Sequence, residues 1–168
     1  MPGGVTRPKV EVMEHSIEQV DRGERRVAYC ARVHADAHEL WAMLANPHRH
    51  HEVDGSGTVK PTVIGPRELI LGDRFRVDMA MYGIPYSITS TVTDLVPGAV
   101  VEWRHPGGHR WRWEFEPVDD GATLVTEIFD YTGSPGPVAA ALERLKRPAR
   151  NADSIRESLA NLQRRFGG

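Results

Sequence analysis

The chain has 168 residues, 21 Lys plus Arg against 23 Asp plus Glu, 40% of its residues in the hydrophobic set and four each of Trp, Tyr and Phe. That length suits one domain able to fold without disulfide or metal support, the apolar content excludes a disordered chain, and a net charge of −2 gives no drive toward nonspecific nucleic-acid binding. Cys30 stands alone, no stretch approaches the ~18 apolar residues of a membrane span, and the first dozen residues lack a signal-peptide apolar run, which together read as a cytoplasmic protein.

In chain order, residues 1–25 read as an N-terminal extension, partly flexible. Within it Val10, Met13, Ile17 and Val20 fit a short amphipathic helix, Val10 and Val12 alone fit a strand, and the spacing leaves both open. The domain proper begins at Arg26 and runs to 168. Its first strand is the alternation of Val27, Tyr29, Ala31 and Val33 with Ala28, Cys30, Arg32 and His34. Asp36 then stands as a helix N-cap with Glu39 three positions on; Leu40, Trp41 and Leu44 make a short helix that Asn46-Pro47 ends, and a second short helix follows near 48–53.

Residues 57–131 read as strands and turns. Phe75, Val77, Met79 and Met81 alternate with Arg74, Arg76, Asp78 and Ala80, and after a turn at Gly83-Ile84-Pro85 the pattern resumes with Tyr86, Ile88, Ser90 and Val92. In 109–116, His109, Trp111, Trp113 and Phe115 face one way while Arg110, Arg112, Glu114 and Glu116 face the other. Turns at Pro97-Gly98, Pro106-Gly107-Gly108 and Asp119-Asp120-Gly121 fall at hairpin spacing, so successive strands are antiparallel neighbours. Beyond Pro137, the residues Val138, Leu142, Leu145, Ala149, Ala152, Ile155, Leu159, Leu162 and Phe166 form one apolar stripe on one long helix, with a kink expected at Pro148. The fold class is therefore α+β: a curved antiparallel sheet of about seven strands wrapped around a long C-terminal helix, with two short helices after the first strand. A curved sheet around a single helix leaves room for an apolar pocket between them.

This order resembles the START/Bet v1-like (SRPBCC) helix-grip superfamily, in its polyketide cyclase/dehydrase and lipid-transport branch, over roughly residues 26–166. The motifs that carry the likeness are A-x-x-x-x-[VL]-W, here Ala35 to Trp41, the GDRFRV strand, and an aromatic strand followed by P-V-x-x-G-x-T, here Pro117 to Thr123. The resemblance implies a helix-grip fold whose central cavity binds a polyketide, lipid or similar hydrophobic molecule, with ring closure or aromatisation in some members and no cofactor.

Tyr29, Phe75, Met79, Met81, Tyr86, Trp103, Trp111, Trp113 and Phe115 make an inward aromatic and Met set that fills a core or walls a cavity equally well; the resemblance tips the reading to a cavity. Ligand-binding candidates are Phe75, Val77, Met79, Met81, Ile88, Ser90, Trp103, Trp111, Trp113 and Phe115, joined by Leu142, Leu145 and Ala149 from the helix. Catalytic candidates are Tyr29 and Tyr86, whose hydroxyls suit an enolate oxygen, His109 as a titratable group near a cavity mouth, and Glu127 as a carboxyl whose pKa burial would raise. The segment 124–131 has apolar residues on both phases, so Glu127 and Asp130 stand as alternatives for an inward carboxyl, and an outward, solvated Glu127 is slightly favoured.

His48, His50 and His51, and separately His105 and His109, supply no convergent set of three or four ligands, so they read as wet loop histidines and not as a metal site. Residues 143–165 carry seven cations against three anions, a solvated helix face or a surface for an acidic carrier protein. The expected partner is a hydrophobic small molecule, with no nucleic acid and no stable membrane insertion, on a monomer or weak dimer. A role in natural-product biosynthesis leads, with a noncatalytic carrier or sensor and an interaction module as alternatives.

Overall fold

Eight antiparallel strands, several of them alternating apolar and polar residues, form one sheet ordered β1-β2-β8-β7-β6-β5-β4-β3. The computed structural model describes residues 13–118 and 121–167. The strands are β1 (Ile17–Val20), β2 (Arg26–Val33), β3 (Val59–Ile64), β4 (Arg74–Met81), β5 (Ile84–Val96), β6 (Val100–Arg104), β7 (Arg110–Pro117) and β8 (Thr123–Asp130). The count exceeds the expected seven because Ile17 and Val20, read above as one face of a possible helix, belong to β1, which pairs with β2 through Ile17↔Ala31 and Val20↔Ala28. Val10 and Val12, and Asp119-Asp120 of the expected turn, lie outside the described residues.

Helix α1 (Ala37–Leu44) starts as its sequence dictates: Asp36 accepts a hydrogen bond from the His38 backbone N–H at 3.1 Å, and Glu39 stands in the first turn. Asn46 then caps a 3-10 turn, Pro47–Glu52, by accepting from the His48 N–H at 3.0 Å, with Pro47 at its first position. Leu40, Met43 and Leu44 bury one face of α1, while the Trp41 indole N–H donates to the Val100 carbonyl at 2.8 Å.

The C-terminal helix is two helices, not one kinked helix. Helix α2 (Gly136–Arg144) and helix α3 (Arg147–Phe166) are separated at Lys146, which takes a left-handed φ of 55°. Pro148 lies in the first turn of α3, where its missing N–H costs no hydrogen bond, so it starts that helix and kinks nothing. The turn expected at Gly83-Ile84-Pro85 is likewise the tighter Tyr82-Gly83 pair, both with positive φ, and Ile84 and Pro85 already pair with Met81 and Ala80.

Buried Ile155, Leu159 and Leu162 set α3 chiefly against β2 and β8, with β1 beside them, so the helix grips one end of the sheet. The loop after the 3-10 turn holds it there: the Gly55 N–H donates to Ser158 Oγ at 2.8 Å and Asn161 Nδ2 donates to the Val53 carbonyl at 3.1 Å. Gly55 touches the helix so closely that an added Cβ would lie inside the Ser154 carbonyl oxygen and 2.5 Å from the Ser158 amide nitrogen. The outer face of the sheet is wet and charged, with Arg112 bonded to Glu114 on its own strand and to Glu102 of β6 and Asp94 of β5.

Because backbone atoms block that Cβ, Gly55→Ala must push the loop off α3. Overpacking of this kind is expected to destabilise the fold by about 1–3 kcal/mol, seen as a lower thermal midpoint, whereas Gly57→Ala, at a positive φ with open space, should cost less. Equal midpoints for Gly55→Ala and the parent chain would show that the contact does not hold the helix.

Candidate functional site

Since α3 covers only the β1-β2-β8 end, the inner faces of β4, β5, β6 and β7 stand off from it and enclose a cavity of about 900 Å³. Cross-strand pairs set its wall: Phe75 lies opposite Ser90, Val77 opposite Ile88, and Met79 opposite Tyr86. Trp103 pairs with Trp111, and Trp113 with Glu127. All of these residues line the cavity, as do Met81, His109 and, from α2, Leu142. Tyr82 and Ile84 at the β4–β5 turn are 84% and 68% exposed and border the same space, which marks its mouth.

Four expected site residues are placed elsewhere. Phe115 is buried in the core, stacked on Trp113 at 6.5 Å between centroids. Leu145 and Ala149 are exposed, because the break at Lys146 turns the stripe that one continuous helix would have kept inward. Tyr29 does face inward, opposite Glu127, but α3 lies over it with the Arg156 guanidinium 5.3 Å above its ring, and it does not line the cavity.

Register decides between the two carboxyls. Glu127 shares the inner face with Trp113 and is 5% exposed, so the favoured outward position is overturned. Asp130 is on the outer face, bonded to Arg26 at 3.0 Å. Glu127 Oε2 is buried without a hydrogen-bond partner. Burial, with Asp54 nearby adding to it, pushes its carboxyl well above the ordinary carboxylate range, so it is held protonated and able to donate.

Three of the histidines read as wet are not. His50 is buried, stacked on Trp103 at 4.6 Å, and its Nε2–H donates to the Leu44 carbonyl at 2.7 Å. Burial holds it neutral, with a pKa of about 4. His105 and His109 share a hydrogen bond of 2.9 Å across the β6–β7 hairpin, and burial lowers the pKa of both. Both line the cavity, and His109 Nδ1 is buried without a partner. Among the described residues no group of three or more His, Cys, Asp or Glu is placed to hold a metal ion.

On the helix side sequence reasoning placed Leu142 and missed the polar residues of α3. Arg147, Arg150, Asn151, Ser154 and Ser158 of α3 all line the cavity, so its helix side is polar while its sheet side is aromatic and aliphatic. The signal was available: these positions recur at i, i+3, i+4, i+7 and i+11, a single helical face.

The chain matches the model of one family, described as polyketide cyclase / dehydrase and lipid transport, over residues 24–167. An uncharacterized protein of Mycobacterium tuberculosis (strain H37Rv) is 49% identical over 125 residues, which are 74% of this chain and 55% of that protein. The chain thus spans about half the length of the curated relatives it matches. Among solved structures, a protein from Rhodobacter sphaeroides aligns with a TM-score of 0.67 at 18% identity, covering 89% of this chain and 97% of its own. The Zhui aromatase/cyclase from a Streptomyces species aligns with a TM-score of 0.56 at 20% identity, covering 84% and 94%. These two likenesses are of fold.

The buried titratable groups predict opposite pH behaviour. Unfolded His50 binds a proton near its ordinary 6.5 and folded His50 only near 4, so its stabilisation is present above pH 6.5 and is lost as pH falls toward 4, about 3 kcal/mol over the whole window. Glu127 has a raised folded pKa, so its stabilisation is present at low pH and is lost as pH rises. Thermal midpoints measured from pH 5 to 8 should therefore fall less steeply toward acid in His50→Gln than in the parent chain. In Glu127→Gln they should exceed the parent most at pH 8. Parallel curves for all three proteins would contradict both assignments.

Proposed function

We propose, from the premise that the chain belongs to the polyketide cyclase/dehydrase and lipid transport family, that its cavity takes up a bulky hydrophobic small molecule, a polyketide or similar aromatic or polyene metabolite. The observation that carries this reading is the cavity itself: about 900 Å³, at the upper end of the range for small-molecule sites, walled by three tryptophans, methionines and branched aliphatics. Flat indole surfaces and adaptable thioethers suit a large ring system, and a few polar groups (Ser90, Tyr86, Glu127) stand among them to orient it.

Glu127 favours a catalytic version of the same reading. A protonated carboxyl on an apolar wall can give its proton to a β-hydroxyl of a bound ketone as the carbon–oxygen bond breaks and water leaves. The carboxylate so formed takes the adjacent α-hydrogen, which completes the new double bond and restores the acid. Tyr86 lines the same wall and can donate a hydrogen bond to the ketone oxygen, which orients the substrate for this transfer. His109, neutral through burial, is a second acceptor for a proton. Tyr29, behind α3, has no part in this reading. The fold likeness to an aromatase/cyclase supports the chemistry, which needs proton transfer only. A noncatalytic carrier would use the same wall and leave the ligand unchanged.

Native mass spectrometry of the purified protein is expected to show a retained hydrophobic molecule, and Ile88→Trp, which projects a larger ring from the wall into the cavity, should lower that retention without loss of fold. With an aryl β-hydroxy ketone as substrate, Glu127→Gln should lower the dehydration rate about 100-fold or more while changing its affinity only a few fold. A cavity that binds neither a retained ligand nor the ketone would overturn the binding reading; binding without any dehydration by the parent chain would leave the carrier.

A further inference from the structure

The two walls of the cavity differ in chemistry in a way that specifies the ligand further. On the sheet side stand Phe75, Met79, Trp103, Trp111 and Trp113. On the helix side, Arg147, Arg150, Asn151, Ser154 and Ser158 run down one face of α3 for eleven residues, or roughly 16 Å at the helical rise. An apolar chain could not use that second wall; it would strip water from the serines, the amide and the guanidiniums and return nothing.

The hydrogen-bonding capacity of the stripe is open toward the cavity. Ser154 donates its hydroxyl to the Arg150 carbonyl at 3.1 Å, leaving oxygen lone pairs to accept. Ser158 Oγ accepts from the Gly55 N–H, leaving its own hydroxyl to donate. Arg147 spends one N–H on the Met81 thioether, at 3.7 Å, and neither Arg147 nor Arg150 makes a salt bridge among the described residues. Elsewhere on α3 the arginines are matched: Arg156 with Asp153, Arg164 with Glu157, and Arg165 with Glu52. Of the arginines of α3, only half-buried Arg147 and exposed Arg150, both bordering the cavity, have no salt bridge among the described residues, and they are placed for an anion at its rim.

Resting on the binding reading above, we infer that the ligand is a rigid polycyclic acid of facial polarity: one apolar face against the tryptophans, oxygen substituents on the other face toward Asn151, Ser154 and Ser158, and a carboxylate at the end held by Arg147 and Arg150. This class differs from fatty acyl chains, which have no second face, and from fully aromatic hydrocarbons, which have no polar one.

Isothermal titration of the whole chain below micelle-forming concentrations, with four probes, tests the inference. Cholate has three hydroxyls on one ring face and a terminal carboxylate; 5β-cholanate lacks the hydroxyls; methyl cholate lacks the charge; palmitate lacks the rings. Cholate is expected to bind about tenfold or more tightly than either 5β-cholanate or methyl cholate. The double variant Arg147→Ala/Arg150→Ala should erase the preference for acid over ester and keep the preference for hydroxyls. Asn151→Leu/Ser154→Ala should do the reverse, with circular-dichroism melts confirming that both variants fold. Binding of 5β-cholanate or palmitate as tight as that of cholate, or an acid preference that survives loss of both arginines, would overturn this inference and leave the general hydrophobic site standing. Failure of all four probes, together with no retained ligand, would overturn both.

Discussion

The off-centre seat of α3 is the constraint from which the rest follows. Ile155, Leu159 and Leu162 bury against β2 and β8, the strands at one end of an eight-strand sheet, and the Gly55–Ser158 contact fixes the helix from the other side. Were the helix centred, its apolar stripe would meet the tryptophans of β6 and β7 and the interior would close. Seated at one end, it satisfies its apolar face with Val33, Val125 and their neighbours, and turns a different, polar face toward β4 through β7. The void is thus a consequence of where packing is good: Phe75, Trp103, Trp113 and Phe129 pack into the core on one side and line the cavity on the other, while Ile155, Leu159 and Leu162 serve the core alone.

The void changes what the interior can tolerate electrostatically. A fully packed core would need Glu127 paired or replaced, because an isolated buried carboxylate is strongly disfavoured and becomes neutral instead. Here the neutral acid lines open space with one oxygen unclaimed, and the neutral His50 is locked by the Leu44 carbonyl and the face of Trp103. The first group is left available to a ligand and the second is committed to the fold. The outer face does the opposite: Arg112 gathers Asp94, Glu102 and Glu114, so charge on the sheet is collected on the side away from the ligand.

Much of this was legible in the sequence. Period-2 alternation in 74–81 and 110–117 gave the inner faces, and with them Phe75, Met79, Trp111 and Trp113 as wall residues, because a strand allows only two phases. β8 was not legible by that rule: Thr123, Val125, Thr126, Glu127, Ile128 and Phe129 are all buried, so both phases look apolar, and only pairing with β7 shows which way Glu127 points. The split of the terminal helix was hidden for a different reason. Lys146 in a left-handed conformation has no composition signal, and Pro148 is equally compatible with a kink or a helix start. The polar stripe of α3 was missed because attention to its apolar stripe treats the remaining positions as solvent-facing, which holds only for a helix with one neighbour.

Trp103, Trp111 and Trp113 line the cavity, whereas the fourth indole, Trp41 of α1, packs against the core outside it with its N–H tied to the Val100 carbonyl. Three of the four native fluorophores thus report on one compartment. Water in that compartment gives red-shifted emission and an occupant that displaces it gives blue-shifted emission, so the unlabelled chain carries its own gauge of filling, with Trp41 as a nearly constant background.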